Sequence, residues 1–188
     1  MKISPAYPDT EYSQLNFENE ADWQRAIDML ENRIKGRFLD PIKKIEKGEY
    51  SGFAVLALDC LLIETLQQFR KGVYETPYGE NRDYFTDFLT ETSFNQYFDL
   101  KSARKFYVHI RNGILHQAET KYGTTIRITS SLPLVSENGS DLIINRKKFH
   151  QELCNIFNAY LSELREGNDP DLRMNFKNKM DYICRIRR

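Results

Sequence analysis

Residues 101–119 read KSARKFYVHIRNGILHQAE, and taking this stretch as a helix decides the fold. On a helical period Ala103, Phe106, Tyr107, Ile110, Ile114 and Ala118 share one side, the spacing of a stripe turned towards a core. Lys105, His109, Asn112, His116 and Glu119 recur on the other side at intervals of four and three, with Arg111 on the border. Two of the three histidines therefore occupy the polar stripe of a packed helix.

Similar periods extend outward on the N-terminal side. A helix is expected from Ser51 to Lys71, apolar nearly all round over its first three turns and so covered by other helices or by another subunit. Its apolar run, Phe53 to Ile63, is broken only by Asp59 and falls short of the roughly 20 residues a spanning helix needs, which reads as a buried core helix. A carboxylate on such a surface is costly unless paired, so Asp59 or Glu64 is expected to meet an arginine, or to lie at a helix end or cleft. Trp23, Ile27, Leu30, Ile34 and Phe38 mark an earlier helix from about Asn19, with Glu31 and Lys35 paired on its wet side. At Asp40-Pro41, a cap followed by a residue favoured at a first helical position, that helix is expected to kink or restart before the turn at Gly48. Residues 1–18 read as a lead-in ordered only where an aromatic docks.

From Gly72 to Leu100 the chain is rich in aromatics: Tyr74, Tyr78, Tyr84, Phe85, Phe88, Phe94, Tyr97 and Phe98. Exposed rings can stack RNA bases. Tyr84, Phe85 and Phe88 have helical spacing, however, and the others stand near turn residues, so the group reads as a plug for the end of a bundle.

On the C-terminal side the period changes to two. Thr125 to Thr129 and Leu132 to Val135 are short runs, and Asn138-Gly139 is a hairpin signal before Leu142, Ile143 and Ile144. Asn145 can cap a helix with Phe149, Leu153, Phe157, Tyr160 and Leu164 on one face and Gly167 as its stop, and Asp169-Pro170 opens a last helix facing inward with Leu172, Phe176, Met180 and Ile183. His150 reads as structural. The tail carries Arg185, Arg187 and Arg188, which can hold RNA or, as the preferred reading, remain solvated. The expected fold is mainly all-α: a helical bundle with a β-hairpin or small antiparallel sheet at about residues 124–145, before the last long helices. One domain over 19–188 follows the lead-in 1–18.

A chain of 188 residues can bury about 70% of its unfolded surface as a single core. Lys plus Arg and Asp plus Glu balance at 27 each, so any nucleic-acid contact rests on a local patch. Cys60, Cys154 and Cys184 are far apart, without metal-ligand spacing, and read as reduced thiols of a cytoplasmic protein. The opening MKISPAYPDTEYSQ reads as neither signal peptide nor membrane anchor.

No glycine-rich phosphate loop is present, and no cysteine or serine lies in a nucleophile motif. His109 and His116, seven residues apart, are separated by about 10.5 Å along a helix, too far to share one ion, so neither a metal nor another cofactor is expected. What remains is Arg111-Asn112-Gly113-Ile114-Leu115-His116. An arginine, four residues and a histidine, late in a helix that follows an apolar one, resembles the signature of the HEPN (higher eukaryotes and prokaryotes nucleotide-binding) domains, and asparagine after the arginine agrees with it. The resemblance covers the bundle from about Asp22 to Leu164, with its specific part in these six residues.

That resemblance implies a helical bundle, typically dimeric, whose motifs meet across the subunit interface and cut single-stranded RNA without a metal, often as a toxin or antiphage effector. Arg111 and His116 would be catalytic and Asn112 would position substrate, with His109, Asp59 and Glu64 supporting the pair from behind. The residue types suit this chemistry: an imidazole with an ordinary pKa of about 6.5 gives or takes a proton near neutrality, and a guanidinium presents a planar fork to two phosphate oxygens. Arg111 and His116 lie about 140° apart on an ideal helix, which calls for a second surface to close a groove over them. Balanced charge keeps a noncatalytic HEPN-like module open as well, a partner of an antitoxin, a nucleotidyltransferase or a defence complex.

Overall fold

The computed structural model describes residues 2–139 and 141–186. In chain order its elements are α1 (Asp9–Tyr12), α2 (Glu20–Ile34), a π-helical turn (Lys35–Leu39), α3 (Asp40–Ile45), α4 (Gly52–Lys71), α5 (Asn81–Glu91), a 3₁₀ turn (Ser93–Gln96), α6 (Leu100–Phe106), a second π turn (Tyr107–Arg111), α7 (Asn112–Gln117), β1 (Thr125–Arg127), β2 (Val135–Asn138), β3 (Asp141–Asn145), α8 (Arg146–Glu166) and α9 (Pro170–Ile183). The protein is mainly α with a small sheet before its last helices, as its periodicities require. It divides into two compact units, one of Met1–Lys44, Gln68–Glu75 and Phe157–Arg188, the other of Ile45–Gln67 and Thr76–Ile156.

In the first unit the Asn19 side chain caps α2 by accepting the Ala21 N–H, and Ala26, Ile27, Met29, Leu30 and Ile34 are buried. Glu31 pairs with Lys35 as its spacing predicts. The break expected at Asp40-Pro41 takes the form of a π turn, in which the Asp40 N–H reaches back to the Lys35 carbonyl. A proline ring clashes with the carbonyl four residues earlier, and a wider turn relieves that conflict without ending the helix. The lead-in docks through Ile3 and Tyr12, both buried; the Tyr12 hydroxyl donates to Asp181 at 2.8 Å, and Phe17 meets Trp23 edge-on at 4.7 Å. Asp169 caps α9, whose Phe176 packs on Phe69 and Trp23. Arg187 and Arg188 of the basic tail lie outside the described residues.

The second unit is built on stacked phenylalanines. Phe149 of α8 lies 4.8 Å from Phe94 and 5.0 Å from Phe106, and Phe85 stacks on Phe106 at 5.9 Å. Phe85, Phe88, Phe94 and Phe98 are buried, which gives that part of the aromatic segment to the core. Tyr74, Tyr78 and Tyr97 are exposed. α4 is long and apolar enough to cross a bilayer by length and composition, but 50% of its apolar window is buried inside the protein.

The sheet has the order β1-β3-β2. β2 and β3 form the expected antiparallel hairpin, with Asn138 opposite Asp141, but β1 runs parallel to β3, Thr125 opposite Ile143. A period of two assigns residues to faces and says nothing of strand direction. Here β3, with Leu142 and Ile144 buried, takes the centre, and the chain crosses from β1 to the far edge before turning back. The second strand starts at Val135 rather than Leu132. Pro133 has no N–H for a ladder, so pairing begins beyond it.

Candidate functional site

Asp99 opens the motif helix. Its carboxylate accepts the Ser102 N–H at 2.7 Å while the Ser102 hydroxyl accepts the Asp99 N–H at 3.0 Å, a reciprocal cap. The helical path then runs unbroken to Gln117 but changes pitch, for the Asn112 N–H bonds to the Tyr107 carbonyl, five residues back. Ala103, Phe106, Tyr107, Ile110 and Ile114 are buried as their spacing predicts. Ala118, expected with them, is exposed because the helix ends there with a left-handed residue at φ 54°.

Beyond Ala118 the chain folds back along the helix it has just left. Lys121 donates its N–H to the His109 carbonyl at 2.9 Å, and Glu119 donates to the Gly113 carbonyl at 3.4 Å. Gly113 permits this approach, since a Cβ there would lie 2.4 Å from the Glu119 carbonyl oxygen. Gly113→Ala must displace backbone and is expected to cost about 1–3 kcal/mol. The check is a urea midpoint that falls at unchanged slope.

Arg111 ends the π turn with its guanidinium fixed on two sides. Nε donates to Glu64 Oε1 of α4 at 2.7 Å, Nη2 lies 2.7 Å from the same oxygen as an ion pair, and Nη1 donates to Asn112 Oδ1 at 3.0 Å. The guanidinium also lies 5.3 Å over the Tyr107 ring. Of the two carboxylates in α4, Glu64 is thus the one that meets an arginine. Arg111 and Glu64 retain 15% and 20% of their side-chain exposure, so the pair is shielded yet reachable. These two hydrogen bonds leave N–H groups on both terminal nitrogens for an anion.

His116 is exposed on α7 with no hydrogen-bond partner among the described residues. The interval from Arg111 to His116 is regular α-helix, so the two remain offset by about 140° and about 7.5 Å along the axis. Asn112 turns its carboxamide oxygen to Arg111 rather than to the imidazole. His109 sits apart from the pair: its Nδ1 is 3.1 Å from the Thr124 hydroxyl and its ring 4.7 Å from Tyr122. Partial burial lowers its pKa, against the pull of the Asp141 carboxylate. Lys105 at the head of the stripe pairs with Glu137 at 3.2 Å.

Asp59 belongs to a different group. Fully buried, it accepts from Nδ1 of His150 at 2.7 Å, and the opposite ring nitrogen of His150 lies 3.6 Å from the sulfur of Cys154. Sequence reasoning left His150 without a partner; the four-residue spacing of His150 and Cys154 on one helix face was the available signal, whereas Asp59 lies 91 residues away. Burial disfavours a charge on either member. The hydrogen bond to the Asp59 carboxylate more than offsets this for His150, whose pKa is pushed up to about 10, while burial leaves Asp59 itself above the usual carboxylate range. Both shifts mean that the pair holds its proton to higher pH than either group would alone.

The sign of the pH dependence follows, with Arg146 and Cys154 the other ionisable groups acting on the pair. A histidine raised from about 6.5 in the unfolded chain contributes its full stabilisation below that value and loses it as pH rises towards about 10. Urea midpoints should therefore fall between pH 6.5 and 10, and His150→Gln should flatten that part of the profile.

Among the described residues no three His, Cys, Asp or Glu side chains are grouped to hold a metal ion. No family model, curated protein or solved structure matches the chain.

Proposed function

We propose that this protein is a metal-independent endoribonuclease of the HEPN type, acting as a homodimer on single-stranded RNA. The observation that supports it is the Arg111 guanidinium, held by Glu64 and Asn112 with N–H groups on both terminal nitrogens uncommitted, on the same helix as the exposed imidazole of His116, which has no hydrogen-bond partner among the described residues. In this reading the ribose 2′-oxygen attacks phosphorus as its proton leaves, the bond to the 5′-oxygen breaks, and that oxygen takes a proton. The products are a 2′,3′-cyclic phosphate and a 5′-hydroxyl. Arg111 carries the negative charge that builds on the phosphoryl oxygens, and His116 carries one of the proton transfers. Leu61, Val108 and Leu115, exposed to 42%, 37% and 37%, stand within one helical turn of Glu64 or Arg111 and supply an apolar border for a second copy.

Purified protein in EDTA should cut single-stranded RNA to fragments with cyclic phosphate ends, and an Arg111→Ala/His116→Ala double variant should yield none. Undiminished cutting by the double variant overturns the reading. The ion pair on Arg111 also favours a second reading, a noncatalytic HEPN-like module in a toxin–antitoxin or defence complex, since Glu64 already neutralises the guanidinium. Co-purification of a partner unaffected by the double substitution, together with an inert wild type, would support that module instead.

A further inference from the structure

We propose that Cys154 is a nucleophilic thiol, activated by the His150–Asp59 relay and modified by small disulfides. The inference is independent of the reading above, because the hydrogen bonds of Arg111 run to Glu64 and Asn112 and those of His150 to Asp59 and Cys154. The elements sit in the order that thiol activation requires. Cys154 Sγ is 3.6 Å from one imidazole nitrogen of His150, and the other nitrogen is 2.7 Å from a carboxylate with no exposed surface. A buried carboxylate behind an imidazole fixes its tautomer and stabilises the imidazolium that forms when it takes a proton. The second oxygen of Asp59, Oδ2, is buried and has no hydrogen-bond partner among the described residues, so His150 is the one group its carboxylate is seen to bind.

Accessibility separates this thiol from the other two. Cys60 is fully buried and Cys184 nearly so, and burial raises the pKa of both, whereas Cys154 is partly exposed. The raised proton affinity of His150 keeps a positive ring 3.6 Å from the sulfur. Cys154 lies in the interior of α8, where backbone N–H groups are already committed to the helix. An oxyanion site for acyl transfer is therefore not built here, and sulfur exchange is the chemistry the cluster supports.

The exchange balances without an outside oxidant. The thiol proton passes to solvent, the Cys154 thiolate, held against the protonated His150 ring, attacks one sulfur of a low-molecular-weight disulfide, and the disulfide bond breaks. The departing thiolate then takes a proton back from solvent, leaving a mixed disulfide on Cys154 and one free small thiol.

The test uses the full reduced chain with two reagents, 5,5′-dithiobis(2-nitrobenzoate) and oxidised glutathione, with labelled peptides mapped by mass spectrometry. Cys154 should label first, and its rate should stay high as pH falls below the ordinary thiol range of about 8.5. His150→Gln should slow labelling at pH 6.5 by about tenfold or more and restore an ordinary thiol profile, with Asp59→Asn shifting it in the same direction. If a variant fails to fold, the pH–rate profile of wild type alone decides. A Cys154 rate that follows the ionisation of a free thiol overturns the proposal, as does faster labelling of Cys60 or Cys184 in the native protein.

Discussion

His116→Ala should lower the cleavage of single-stranded RNA in EDTA by about 100- to 10,000-fold, the range spanned by loss of one positioned general acid or base. The variant is informative because it is structurally mild. His116 is exposed and carries no hydrogen bond among the described residues, so removing its ring should change stability by no more than about 0.5 kcal/mol. Helical circular dichroism and the urea midpoint should stay at wild-type values while the rate falls. Arg111→Ala is a poorer probe: it strips the partner from the half-buried Glu64 carboxylate and forfeits hydrogen bonds to a charged group, a loss of about 1.5–3 kcal/mol that would cut activity through the fold alone. Wild-type cleavage by a folded His116→Ala protein would remove the proposed catalytic pair.

Phe149→Ala should be the most damaging single change to the second unit, at about 3–5 kcal/mol. Its ring is fully buried, stacks on Phe94 and Phe106 at 4.8 and 5.0 Å, and meets Phe98 edge-on at 6.3 Å. The neighbours are rings held by their own elements, and three such rings cannot close over the space a fourth vacates. Chemical denaturation with a lowered midpoint and unchanged slope would register the loss. Phe149→Leu, which keeps most of the volume, should recover a large part of it.

These two residues also show what the sequence made legible. Phe149 and its partners on α8 were readable because a helical period reports burial directly; α2, α8 and α9 start within a residue of their cap signals, and α4 starts one residue after the expected Ser51. The Glu64–Arg111 contact was readable only as a need, since a carboxylate on an apolar helix requires a cation without naming which one. Three things were hidden. The direction of β1 depends on the path between strands and leaves no trace in an alternating pattern. The π turn at Tyr107–Arg111 breaks the constant pitch on which the polar stripe of His109, Asn112 and His116 was drawn, and His109 accordingly meets Thr124 and Tyr122 instead of Arg111 and His116. The Asp59–His150 bond joins positions so far apart in the chain that no local spacing contains it.

The π turn at Tyr107–Arg111 holds one residue more than an α-helix would need to span the same rise. Loss of one residue among Tyr107, Val108, His109 and Ile110 would let the helix regularise over the same rise, so that Phe106 keeps its stack and Arg111, Gly113 and His116 keep their facing. The spacing between arginine and histidine would survive such a deletion intact. A one-residue deletion there would therefore isolate what the wide turn itself contributes, with the interval from Arg111 to His116 unchanged.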